Sequence, residues 1–122
     1  MHKDWPEMAK GLSGPLRELR AGAPEVMKGF SAIARAALEA KALDTKTKEL
    51  IALAISVATR CDACIAFHAE AAVRQGASRD AVMETMGMAI YMGAGPAVMY
   101  AAQAVEAFDQ YVAKANPVPP AA

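Results

Sequence analysis

Asp44 to His68 reads DTKTKELIALAISVATRCDACIAFH, and this stretch decides the fold. Asp44 or Thr45 supplies a helix cap. The residues behind it, Leu50, Ile51, Leu53, Ala54, Ile55 and Val57, are apolar on several sides, so the helix they form is expected to be the central one. It ends at Thr59-Arg60. A second helix opens at Cys61-Asp62 and continues through Ala63, Ile65, Ala66, Phe67, Ala69, Ala72 and Val73 to Gly76, a natural C-terminal stop.

Working outward, the same pattern repeats. Toward the N-terminus, Pro24 opens a helix in which Val26, Phe30, Ile33, Ala34, Ala37 and Leu38 recur at steps of three and four, ending near Ala40. Before it, Pro6 to Arg20 is interrupted by Gly11, Ser13, Gly14 and Pro15 and reads as one broken helix or two short ones. Toward the C-terminus, Ser78 and Asp80 start a helix over Ala81 to Met92, and Pro96 starts another that runs to about Lys114. The tail from Asn116 to Ala122 contains three prolines and is expected to be frayed. Six helical segments in one all-α domain of 122 residues are thus expected. Alanine at 30 positions favours the same outcome, because it loses no side-chain entropy in a helix.

Composition narrows the function classes. Thirteen basic residues balance thirteen acidic ones, so there is no electrostatic footprint for nucleic acid or an anionic membrane. No charge occurs from Thr85 to Val105, which is long enough for a membrane span. Gly93-Ala94-Gly95-Pro96 breaks that run, and two buried helices, in the core or against another subunit, explain it better. A homo-oligomer is therefore expected. No apolar stretch of signal-peptide length follows Met1 to Pro6, which points to the cytoplasm. In that reducing compartment, two cysteines three apart are more often catalytic or metal-binding than a structural staple.

The chemistry is concentrated in Cys61-Asp62-Ala63-Cys64-Ile65-Ala66-Phe67-His68. On a helix, Cys61 and Cys64 stand at i and i+3 while Cys64 and His68 stand at i and i+4, so the three side chains share one face. A thiol attacks a disulfide or a peroxide only as the thiolate, and a free cysteine with a pKa of ~8.5 is mostly protonated at neutral pH. Two features can remove that proton. The helix N-terminus favours an anion at Cys61, and His68 can accept a proton from Cys64, so either sulfur can be the first nucleophile.

Glu49 is the third element. If the helices fold back on each other at Thr59-Arg60, Glu49 lies opposite residue 71, within about one helical turn (~5 Å) of His68, where a carboxylate can orient the imidazole. Plainer readings compete with each assignment. The cysteines can be small core hydrophobes, His68 a hydrogen-bonded core histidine, and Glu49 a surface acid paired with Lys46 or Lys48. Zinc needs a fourth ligand, and the only other histidine is His2, so neither a metal nor a cofactor is expected.

The spacing of Glu49, Cys61, Cys64 and His68 resembles the core of the carboxymuconolactone decarboxylase family, in its alkylhydroperoxidase D-like branch. The flanks Leu43-Asp44-x-Lys46-x-Lys48-Glu49-Leu50-Ile51-Ala52-Leu53-Ala54 and Met92-Gly93-Ala94-Gly95-Pro96-Ala97 are similar too, so the likeness covers roughly residues 24 to 112. The resemblance implies an all-helical homo-oligomer, a hexamer as in many short members or a trimer as in longer ones. It also implies thiol-dependent reduction of peroxides, with Cys61 and Cys64 cycling between dithiol and disulfide and Glu49 and His68 relaying protons. By the same resemblance, electrons come from a lipoyl-bearing or other dithiol protein, and the disulfide can serve a peroxiredoxin.

This chain departs from the branch in one place. Ala63 stands where a histidine often precedes the second cysteine, and a relay short of one imidazole is expected to be slower. Two other activities remain open: a carboxymuconolactone-type decarboxylase, whose members generally lack the cysteine pair, and a non-catalytic redox-sensing protein whose disulfide locks an interface. For a decarboxylase, no basic cluster is evident in the sequence as a cradle for a dicarboxylic substrate.

Overall fold

The computed structural model describes residues 1–117, and these form helices and turns with no strand among them. The elements are α1 (Trp5–Gly11), α2 (Ser13–Gly22), α3 (Pro24–Leu38), α4 (Thr45–Ala58), α5 (Asp62–Arg74) and α6 (Arg79–Ala115). The broken first helix is indeed two pieces. The two helices expected over 81–92 and 96–114 lie end to end within α6, on either side of a kink at Ala94. Of the tail expected to be frayed, residues 118–122 lie outside the described residues.

Each start has a local cause. The Asp44 carboxylate accepts the Thr47 N–H at 2.7 Å, and the Ser78 hydroxyl accepts the Ala81 N–H at 3.0 Å, so both helices begin with a donor satisfied by a side chain. The Thr47 hydrogen bond keeps the Asp44 carboxyl below its ordinary range. Between α4 and α5, Arg60 adopts φ 56°, and Cys61 N–H bonds back to Ser56 O at 3.0 Å. This left-handed residue past the helix end is the geometry that folds one helix back on the last.

The core lies where α4, α5 and α6 meet. Leu53 and Val57 of α4, Ile65, Ala66, Ala69 and Ala72 of α5, and Val82, Met86, Ala101, Ala104 and Phe108 of α6 are buried there. The many alanines let the helix axes approach closely. A different arrangement holds α3. None of its residues is buried, and Val26, Phe30 and Ile33, which share one face, are 62–72% exposed. The periodicity forms the helix as expected, but within one chain its apolar face covers nothing.

Within α6 only Ala94 leaves helical geometry, at φ 56° and ψ −145°, two residues before Pro96. Proline lacks the N–H for the helical bond and excludes the carbonyl four residues back, so the chain kinks here. Gly93 is required at the kink, since a Cβ on it would stand 2.7 Å from the Ala97 Cβ.

The segment before α1 is an ordered strap. Trp5 is fully buried. Its indole N–H donates to Glu106 at 2.8 Å, and the same carboxylate accepts the backbone N–H of His2 at 2.6 Å and of Lys3 at 2.9 Å. Gln110 accepts the Trp5 N–H and donates to Lys3 O. Ordering a terminal segment costs about 1–2 kcal/mol per residue in backbone entropy. The buried indole and the bonds to one charged acceptor offset that cost. The sequence reading placed nothing functional here. The available signal was Asp4-Trp5-Pro6-Glu7, a capping residue, a large apolar ring and a first-turn proline and acid.

Two outcomes are expected. Gly93→Ala should destabilise the chain by about 1–3 kcal/mol through overpacking, whereas Ala94→Gly should stabilise it by about 1 kcal/mol by removing a strained non-glycine conformation; thermal unfolding compares them. The second concerns Glu106, whose carboxyl is held below its ordinary range first by the His2 N–H, with Lys3 and Trp5 adding to it and burial opposing. A depressed native value means that its stabilisation is complete above the usual glutamate value of 4.5 and is lost as pH falls through the lower native one. Trp5 emission should therefore stay constant from neutral pH down to that value and change only below it, while Glu106→Gln should show the change already at neutral pH.

Candidate redox site

The turn at Arg60 delivers Cys61 to the N-cap of α5. Its Sγ accepts the backbone N–H of Cys64 at 3.2 Å, so a sulfur occupies the place that a serine or aspartate oxygen takes in most helix caps. Cys61 and Cys64 form a disulfide with Cα atoms 5.2 Å apart, and both residues are only partly buried. The pair is neither sealed in the core nor free of it. A helix N-terminus presents its unpaired N–H groups and the positive end of its dipole to the group at its cap, and here that group is a sulfur, neutral in the disulfide and able to carry charge only when reduced.

His68 stands one turn below Cys64 on α5, and α4 runs back alongside. The His68 Nδ1 lies 3.3 Å from Glu49 Oε1. Glu49 is buried, with 5% of its side chain exposed, while 33% of the His68 side chain meets solvent. Neither of the two facing atoms reaches solvent or has another hydrogen-bond partner, and their own contact is at ion-pair distance without hydrogen-bond alignment. A buried carboxylate oxygen against a bare ring nitrogen would leave both unsatisfied. A proton on Nδ1 would pair the two atoms only once the ring turns to align its N–H with Oε1.

The plain reading of Glu49 as a surface acid therefore fails. Lys48, one of its candidate partners, instead donates to Glu39 O at 2.6 Å, and Glu49 faces inward. The back-folding expected from the sequence places Glu49 against His68. It also leaves the plain reading of the cysteines incomplete, since both are partly exposed on the helix end. Among the described residues no group of three or more His, Cys, Asp and Glu side chains is arranged to hold a metal ion. Ala63 is partly buried between the two cysteines.

One further part of the site was missed in the sequence. Asp62, between the cysteines, pairs with Lys3 of the N-terminal strap, and Lys3 Nζ also donates to Gln103 of α6 at 2.9 Å. No spacing rule links residue 3 to residue 62. A second surprise is electrostatic. Lys10, Arg17, Arg20 and Lys114 line an open cleft with Phe67 and Tyr111, a basic cluster that the sequence did not reveal because its members come from three helices. Burial raises the Tyr111 hydroxyl above its ordinary range there. Neither cysteine nor His68 lines that cleft.

Comparison with known proteins assigns the class. Residues 24–107 match the model of the carboxymuconolactone decarboxylase family, and the chain belongs to that family. A crystal structure of a family protein from Legionella pneumophila is 48% identical, with a TM-score of 0.85 over 88% of this chain and 96% of that one. A Thermotoga maritima family protein, for which a part in the antioxidative response has been suggested, is 28% identical, with a TM-score of 0.76 over 93% of this chain and 95% of that one. An uncharacterized Haemophilus influenzae protein is 42% identical over 89% of this chain and 96% of its own length. The cysteine pair is consistent with the alkylhydroperoxidase D-like branch. No helix among the described residues is long and apolar enough to cross a membrane.

Proposed function

We propose that this chain is a thiol-dependent peroxidase and disulfide oxidoreductase with an antioxidant role, and that Cys61, Cys64, His68 and Glu49 are its catalytic set. The observation that carries the reading is the cysteine pair at the N-terminus of α5 with a buried carboxylate set against the imidazole one turn away. Such an arrangement supplies a stabilised thiolate, a resolving thiol and a base with a buried carboxylate set against one of its nitrogens.

In the reaction, one thiolate attacks the outer oxygen of a hydroperoxide. An S–O bond forms, the O–O bond breaks, and the alkoxide leaves as the alcohol after taking a proton. The second cysteine then displaces hydroxide from the sulfenic acid, which leaves as water, and the disulfide seen here results. The helix cap favours negative charge on Cys61, and the partly exposed His68 moves protons through water. Two electrons and two protons from a dithiol, such as a dihydrolipoyl-bearing protein, restore the thiols by exchange. A peroxiredoxin disulfide is a second acceptor for the reduced pair. Ala63 leaves the relay with His68 alone.

Assembly is part of the proposal. Val26, Phe30 and Ile33 of α3, an apolar groove lined by Leu50, Ile51, Ile55 and Met88, and the exposed Tyr91, Met92 and Met99 make more apolar surface than a solvated monomer keeps. A second copy of the chain offers both the ridge and the groove, which supports a homo-oligomer, a hexamer in the first instance and a trimer otherwise.

Two tests follow. Cys61→Ser and Cys64→Ser should each abolish peroxide reduction coupled to dihydrolipoamide, and His68→Gln or Glu49→Gln should slow it by about 10²-fold. Activity equal to wild type in Glu49→Gln would remove that residue from the mechanism. Light scattering should report a particle several times the 12.8 kDa chain, and Phe30→Asp with Ile33→Asp should reduce it; a wild-type monomer at micromolar concentration refutes the assembly.

A further inference from the structure

We propose that Lys3 is a positioning residue for the cysteine pair: carried on the N-terminal strap, its ammonium neutralises the Asp62 carboxylate between the cysteines and so sets how readily they ionise and how readily their disulfide is reduced. The inference rests on the reading of Cys61 and Cys64 as a redox pair. Lys3 lies outside the family match, which begins at residue 24.

Asp62 is the first residue of α5, next to Cys61 and two before Cys64. Its charge suits the helix end, but it opposes any thiolate forming beside it. The Lys3 ammonium contacts that carboxylate. Both side chains are about two-thirds buried, at 32% and 36% exposure, so solvent and salt screen the pair less than a surface contact. Lys3 is held from several directions. Its Nζ donates to Gln103, stands 5.3 Å from the centre of the Trp5 ring, and follows a backbone tied to Glu106 and Gln110.

Such anchoring is unusual for a lysine near a chain end, where an ammonium is normally free in water. The strap sets it against a carboxylate, Asp62, that adjoins the reactive sulfurs. Other charged groups close in the chain or in contact with the strap are Glu106, which accepts the Lys3 backbone N–H, Arg60, which precedes Cys61, and His68, one turn beyond Cys64 and set against Glu49.

The sign is determined by charge. Reduction of the disulfide takes up two electrons and two protons, and any thiolate that then forms stabilises the reduced state. Removing Lys3 leaves Asp62 uncompensated, which disfavours the thiolate and the reduced pair. Removing the Asp62 charge leaves Lys3 uncompensated and does the reverse.

The test uses the reduced full chain, iodoacetamide alkylation as a function of pH, and equilibration against reduced and oxidised glutathione. Lys3→Met should slow alkylation at pH 7 about threefold, move the profile to higher pH and lower the equilibrium constant for reduction about threefold, the scale of a partly exposed ion pair. Asp62→Asn should move all three readings the other way. The double variant should return close to wild type, and Lys3→Arg should retain its profile. A strap that merely props the fold predicts loss of stability with no opposed shifts, so unchanged profiles, or changes of the same sign in both single variants, overturn the proposal. Neither reading uses peroxide. Failure of the peroxidase assay alone leaves the result standing, whereas reduced wild-type cysteines inert to alkylation overturn the redox reading together with it.

Discussion

The left-handed turn at Arg60 sends α5 back along α4, and most of the functional geometry follows from that reversal. It puts Cys61 at a helix N-terminus in place of a mid-helix position, so its sulfur accepts a backbone N–H that would otherwise be unpaired. It also brings a carboxylate nineteen residues earlier in the chain against the imidazole of His68. A helix continuing straight through Thr59 would separate Glu49 and His68 by nineteen residues, about 28 Å at 1.5 Å per residue. The contact between them exists because the chain turns.

Burial then divides the labour. Glu49 is enclosed and His68 is partly open, so the carboxylate faces Nδ1 inside the protein while part of the side chain meets solvent. An exposed carboxylate would be satisfied by solvent and would impose no tautomer. The cost of leaving two buried polar atoms without any other partner is what makes their mutual contact specific. The same reasoning extends to the strap, where Glu106 gathers three N–H donors and thereby places Lys3 beside Asp62.

The surface of the single chain is unfinished in a consistent way. The core of α4, α5 and α6 is filled mostly by alanine and a few larger side chains, while several of the largest apolar residues lie on α3 and around the α6 kink, facing outward. Close helix packing through small residues needs few large ones inside. The remainder form a ridge and a groove, an arrangement that suits contact between copies.

Much of this was legible in the sequence because it depends on short-range periodicity. The caps at Asp44 and Ser78, the stop near Gly76, the interruption at Gly93 to Pro96 and the shared face of Cys61, Cys64 and His68 all arise from residues within one or two turns of each other. The proximity of Glu49 to His68 was also legible, since a tight reversal fixes the register of two helices. Folding was needed for what depends on distant residues meeting. Nothing local marks Lys3 as the partner of Asp62, gathers Lys10, Arg17, Arg20 and Lys114 around one cleft, or buries Trp5. Nor does local pattern separate an apolar face that packs inside the chain, as on α5, from one that stays outside, as on α3. Amphipathic periodicity specifies that a face must be covered, and only the tertiary arrangement decides what is available to cover it.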